Sequence, residues 1–70
     1  MNLHPARLSL ARLGDAGRQV RDELTRIEAG QTVDLARAQT LGDDLVEHAI
    51  QTRNALRDAA RMSRQQGAAR

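Results

Sequence analysis

The segment LTRIEAGQTVDLARA, residues 24–38, decides the fold, because it ends one amphipathic helix and begins a second. Gly30 follows the apolar stripe as a residue free to adopt positive φ, which commonly ends a helix. Thr32 offers an N-cap oxygen, and Asp34 suits the first turn that follows. A connection this short forces antiparallel neighbours. The sequence predicts an all-α fold with one antiparallel two-helix hairpin, residues 1–64 (helix 3–28, loop 29–32, helix 33–64), and a flexible tail, 65–70.

Apolar or small residues recur on both sides of the loop at alternating spacings of three and four, as in a helical seam. Folding the stripes about the loop pairs large residues with small ones, such as Val20 with Gly42. We expect both stripes to form the seam of the hairpin, and internal Gly17 and Gly42 to lie opposite larger residues. The stripes comprise Leu3, Ala6, Leu10, Leu13, Gly17, Val20, Leu24 and Ile27, then Leu35, Ala38, Gly42, Leu45, Ala49, Thr52, Leu56, Ala59 and Ser63.

A chain of 70 residues buries too little surface for two helices alone to be comfortably stable. Self-association into a homodimer, and hence a four-helix arrangement, is therefore expected. The flank beside the predicted seam carries few charges, and we assign the dimer face there. Its residues are Ala16, Leu41, His48, Ala55 and Met62, with Ser9 between them.

Composition argues against catalysis and against several kinds of site. There are no cysteines, no aromatic residues and two histidines, so thiolate metal sites and base-stacking platforms are excluded. No nucleophile, base and orienting group occur together, so we expect no enzyme activity, no cofactor, no metal and no small-molecule substrate. No apolar run approaches the roughly 20 residues that span a bilayer, and a cytoplasmic protein is the expectation.

Charge is divided along the predicted hairpin. Residues 1–18 and 48–70 share one end and carry eight arginines against Asp15 and Asp58, a net charge of +6. Residues 19–47 form the loop end, with three arginines against seven acids, a net charge of −4. Two copies laid antiparallel would place each basic end beside an acidic end, which favours encounter and fixes orientation.

Some apolar residues lie outside the predicted seam and flank. Val46 and Ile50 are one turn apart, and Arg53 and Arg57 continue their line, which suits a groove on a partner protein. Leu8 is a further exposed candidate. We expect a non-catalytic interaction protein that modulates a partner protein, such as a bacterial or phage adaptor or an anti-activator of a transcriptional regulator.

The arginine line supports a second interpretation. Arg53, Arg57 and Arg61 follow one another at four-residue spacing and Arg64 extends the line, so a phosphate backbone is an alternative ligand. A dimer of short antiparallel helical hairpins resembles in layout the plasmid copy-control RNA-binding protein Rop. That resemblance implies RNA or DNA binding through these arginines. A third alternative is a structural subunit of a larger assembly.

Overall fold

The computed structural model describes the backbone of residues 2–68 and the side chains of residues 2–65. Two α-helices, α1 (His4–Glu28) and α2 (Leu35–Ala68), pack against each other along their length. The rod measures 59 × 16 × 15 Å. The predicted all-α, two-helix hairpin is therefore confirmed. Among the described residues, neither helix combines the length and the apolarity needed to cross a membrane.

The loop forms around Gly30, which has a φ of 78°. The amide of Gly30 donates to the carbonyl of Ile27, and that of Gln31 donates to Arg26, each at 3.0 Å. This pair of bonds is a Schellman motif, which satisfies the last carbonyls of α1 and reverses the chain. The predicted role of Gly30 is thus the observed one.

The cap of the second helix differs from the prediction. Asp34, and not Thr32, supplies the cap, because its Oδ1 accepts a bond from the Ala36 amide at 3.0 Å. Asp34 ranks with Thr32 as a cap residue and its carboxylate interacts favourably with the helix dipole, so a helix start two residues later satisfies the same rules.

At the other end of the hairpin, Asn2 Oδ1 accepts a hydrogen bond from the amide of His4 at 3.0 Å.

The C-terminal boundary also differs. Helix α2 continues to Ala68, so residues 65–68, predicted as tail, are helical. Arg64 and Gln65 have good helix propensity, and nothing before Gly67 interrupts the pattern. Residues 69–70 of the predicted tail lie outside the described residues.

The helices meet along a seam that is rotated from the predicted one. Ala16 is buried, with 6% of its surface exposed, and the other seam residues are mostly half-buried. These residues again alternate at spacings of three and four, so the helices pack as in an antiparallel coiled coil. The seam comprises Ala6, Ser9, Leu13, Ala16, Val20 and Glu23 on α1, and Ala38, Leu41, Leu45, His48, Thr52, Ala55 and Ala59 on α2.

Candidate protein-interaction face

Four of the five residues predicted as the dimer face, all but Met62, lie in this intramolecular seam. Ala16 is buried, and Leu41, His48 and Ala55 are half-buried between the helices. Met62 follows them at the end of the seam and stays exposed. Ala16 and Ala55 have small side chains, which let two helix backbones approach closely. The helices of one chain therefore already use the surface assigned to a second copy.

The residues of the predicted seam at the outer heptad position form a separate surface, on which the leucines are exposed and Gly17 and Gly42 are half-buried. Leu10, Leu24 and Leu56 expose 58%, 53% and 66% of their surface, far more than seam residues do. Because members of each helix are spaced by whole heptads, they lie on one side of that helix. This surface, the apolar face, consists of Leu3, Leu10, Gly17 and Leu24 on α1, and Leu35, Gly42, Ala49, Leu56 and Ser63 on α2.

Two grooves show that both helices contribute to the same face. One groove, of about 270 Å³, is lined almost wholly by apolar atoms, including those of Leu3, Leu10 and Leu56. The other, of about 100 Å³, lies towards the loop and is lined by Leu24, Ile27 and residues that include Gly42. The apolar face thus runs from one end of the rod to the other.

No contact within the chain requires glycine at position 17 or 42. A Cβ atom built on Gly17 or Gly42 would meet no atom within 4 Å outside its own helix backbone. The prediction that these glycines accommodate larger residues across the seam is therefore wrong. Each costs about 1 kcal/mol of helix stability relative to alanine. Both lie on the apolar face, where a molecule outside the chain can approach closely.

Glu23 is the buried charged residue among residues 2–65, and sequence patterning did not single it out. Only 6% of its surface is exposed. Its Oε2 lies 3.5 Å from Arg26 Nη1 and 3.6 Å from Arg37 Nε on the other helix. The cross-helix pair fixes which residues of α1 lie beside which residues of α2. Glu23 follows Ser9 and Ala16 at seven-residue spacing. That spacing could have indicated from the sequence that Glu23 faces the other helix.

Replacing Glu23 with Ala should lower the free energy of unfolding by about 1–2 kcal/mol, because two guanidiniums lose their carboxylate. Both arginines are about half exposed, which keeps the effect modest. Glu28→Ala, in the last turn of α1, is the matched control and should change stability by less than about 0.5 kcal/mol. Urea unfolding at one fixed protein concentration measures both. Equal effects would contradict a structural role for Glu23.

The ion pairs are confined to the middle and the loop end. Within residues 2–65, the four pairs join side chains between Asp15 and Arg37. No carboxylate in that part of the chain pairs with the arginines towards the opposite, open end. That set comprises Arg7, Arg12, Arg53, Arg57, Arg61 and Arg64. The open end therefore carries uncompensated positive charge.

Four of the five residues predicted to bind a partner protein lie on one side of α2, and the fifth lies on α1. Val46 and Ile50 are exposed on α2. Arg53 and Arg57 both donate through Nη2 to Asn54 Oδ1, at 3.4 and 3.2 Å, so one amide orients both guanidiniums. We call Val46, Ile50, Arg53 and Arg57 the outer strip. Leu8 is exposed on α1, and its helical position places it away from both the apolar face and the outer strip.

A polar depression on the opposite side of the seam contains His48, one of the two histidines of the chain. It is lined by Arg12, Asp15, Ala16, Gln19, Asp44 and His48. The Nδ1 of His48 is buried and has no hydrogen-bond partner among the described residues. Within the same part of the chain, no group of three His, Cys, Asp or Glu side chains converges on a point that suits a metal ion.

Comparisons with protein-family models, with curated proteins and with solved structures give no match for this chain. The functional interpretation therefore rests on the surfaces of the hairpin. Those surfaces are the apolar face and, beside it on α2, the outer strip.

Proposed function

We propose that this chain is a non-catalytic interaction protein of the cytoplasm, which forms a homodimer of four helices and binds and modulates a partner protein. An adaptor or an anti-activator of a regulator is the class of protein that fits. The observation that carries the proposal is the apolar face, because a two-helix rod that exposes leucines at both ends of one face is incomplete by itself.

The surface area supports association. The chain exposes 5653 Å² at a mass of 7.7 kDa, whereas a compact monomer of that mass exposes about 4,300 Å². Part of the excess comes from the rod shape, and part is the apolar face. Packing four helices around that face would bury the leucines that two helices leave in water.

The outer strip supports binding of a second molecule. If the apolar face is used for dimerisation, Ile50 and Arg57 still project from the outside of the bundle. Exposed aliphatic side chains beside oriented guanidiniums are a frequent composition for protein interfaces, in which arginine is enriched. A dimer would carry two copies of the outer strip, related by its symmetry.

The double variant Val46→Ser, Ile50→Ser should lose the partner protein, with binding weakened at least about 100-fold, because two aliphatic anchors are removed. Affinity capture from nuclease-treated host lysate, followed by titration with the recovered protein, measures this. Leu8→Ser, Ala11→Ser is the matched control on the other helix and should bind normally. Retained binding by the first variant, at unchanged helicity, would remove the outer strip from the proposal.

Nucleic-acid binding is the second candidate, and the unpaired arginines of the open end favour it. Arg53, Arg57 and Arg61 form no ion pair within the described residues, so all three are available to phosphates. Counterion release would make such binding fall steeply with salt concentration. A titration of RNA and DNA between about 50 and 200 mM salt decides this, and a flat salt dependence excludes it. Arg53→Ala, Arg57→Ala should lower the slope.

A further inference from the structure

Side-chain size varies along the apolar face in a pattern that indicates what covers it. The open end carries Leu3, Leu10 and Leu56, and the loop end carries Leu24 and Leu35. Between them the face has only small residues, namely Gly17, Gly42 and Ala49. The face is thus bulky at both ends and recessed at its middle, and a matching surface needs complementary size at each level.

We propose that a second copy of the chain covers the apolar face in the antiparallel orientation, about a two-fold axis that passes beside Ala49. The open end of each copy then lies on the loop end of the other. Helix α1 packs on α1 of the second copy, and α2 packs on α2. This inference rests on the dimer proposed above and adds its face, its orientation and its register.

The register follows from side-chain sizes on α2. With the axis at Ala49, Leu56 lies over Gly42 of the second copy, and Leu35 lies over Ser63 of the second copy. Ala49 meets its own counterpart on the axis. Each leucine thus lies against a residue that leaves room for it, which is what interdigitated packing requires.

The same axis serves α1. Leu10 then lies over Gly17 of the second copy, and Leu3 lies against Leu24 of the second copy at the two ends of the face. Two observations bracket the hairpin register, namely the Glu23–Arg37 ion pair and the groove shared by Leu10 and Leu56. The register midway between them puts the midpoint of Leu10 and Gly17 close to the level of Ala49. Two helices with different sequences therefore specify one axis, and each internal glycine on the face receives a leucine.

The parallel arrangement of two copies matches neither the side-chain sizes nor the charges of the apolar face and its ends. It would set each end of the rod on the same end of the other copy, so Leu10 and Leu56 would meet leucines while the glycine levels faced each other across a gap. The antiparallel arrangement sets leucine against leucine only where Leu3 meets Leu24. The parallel arrangement would also bring together two open ends, each with seven described arginines against two aspartates, a net charge of +5. The antiparallel arrangement sets +5 against −4 at both ends, and complementary charge suppresses the wrong orientation.

The area of the face is sufficient. A surface of 59 by 16 Å gives a footprint on the order of 900 Å², and stable interfaces bury about 800 Å² per partner. Because the axis passes close to the middle of the rod, the two faces overlap over most of their length.

A disulfide across the axis tests the proposal, and the chain has no native cysteine to interfere. Ala49→Cys should form a covalent dimer when oxidised with oxidised glutathione, since a disulfide needs Cα atoms about 4.4–6.8 Å apart. Ala60→Cys, on the same helix, is the matched control, because the two copies of residue 60 would be about 30 Å apart. The yields are compared by non-reducing electrophoresis at one protein concentration, beside the mass of the parent protein from analytical ultracentrifugation.

We expect at least tenfold more covalent dimer from Ala49→Cys than from Ala60→Cys. A parent protein that sediments as a dimer while both variants cross-link equally, or neither does, overturns the register and leaves the proposed dimer standing. A parent protein that remains monomeric overturns both the dimer and this inference, whereas partner binding through the outer strip is tested separately.

Discussion

The proposed homodimer should dissociate when Leu10 and Leu56 are both replaced with Ser, with a dissociation constant raised on the order of 10³-fold or more. Each leucine is more than half exposed in the single chain, so little packing within the hairpin is lost. In the dimer both copies change, and four leucine side chains leave the interface. Burying one leucine contributes about 1.5–3 kcal/mol, which makes this the largest effect that we predict.

Analytical ultracentrifugation over a range of concentrations measures the dissociation constant, and the melting temperature gives a second readout. The melting temperature of a dimer rises with protein concentration, whereas that of the variant should not. Leu8→Ser, Ile50→Ser is the matched control, since these aliphatic residues are 41% and 44% exposed and lie off the apolar face, one on each helix. If the control dissociates as readily, or the first variant stays dimeric, the apolar face is not the interface.

The hairpin itself could be predicted from sequence because its signals are local. Gly30 in a Schellman motif and a capping residue within the next few positions fix the reversal, whichever of Thr32 and Asp34 supplies the cap. Heptad spacing then predicts two helices of the right length. None of these signals depends on which side of each helix faces its neighbour, so the fold class was within reach of the sequence alone.

Which side of each helix faces the other could not be predicted from the sequence, for a physical reason. Each helix carries apolar or small residues in three adjacent heptad positions, as any helix with two neighbours in a four-helix bundle does. In α1 these positions begin at Leu3, Ala6 and Ser9. The middle position is shared, so Leu13 was correctly expected in the seam, but sequence cannot say which outer position faces inward. Choosing the larger residues put Leu10 in the seam and Ala16 outside, the reverse of what is observed.

On α1 the small residues Ser9 and Ala16 face the seam, where they allow a close approach of the two helices. On α2 the seam holds large residues such as Leu41 as well as Ala55, so side-chain size alone does not identify the inward side. The same ambiguity placed the predicted dimer face largely on residues that lie in the hairpin seam.

Introducing Leu at Gly17 and Gly42 should have opposite effects on the hairpin and on the dimer. Within one chain the new side chains meet nothing within 4 Å of their Cβ atoms, and each helix gains about 0.8–1 kcal/mol of propensity. In the dimer they would collide with Leu10 and Leu56 of the second copy, at about 1–3 kcal/mol for each contact. Helicity at low concentration should rise, while the dissociation constant should rise by about 100-fold or more.

Circular dichroism at micromolar concentration and sedimentation equilibrium separate these two effects. Ala11→Leu, Ala36→Leu adds the same side chains at exposed positions away from the apolar face, and it should leave the dissociation constant within about threefold of the parent. Unchanged dimerisation of the glycine variant would show that Gly17 and Gly42 are not at the interface. Loss of helicity would show instead that they are needed within the chain.

A compensating variant tests the pairing of Gly42 with Leu56 directly. Gly42→Leu alone overfills the interface, and Leu56→Ala alone leaves a cavity, so each should weaken the dimer. Combined in one chain, they exchange the large and the small residue at both symmetry-related contacts, and most of the lost affinity should return. Such recovery is non-additive and is expected only for residues in contact. Additive losses would place the two residues apart, and the second copy would then lie in another register.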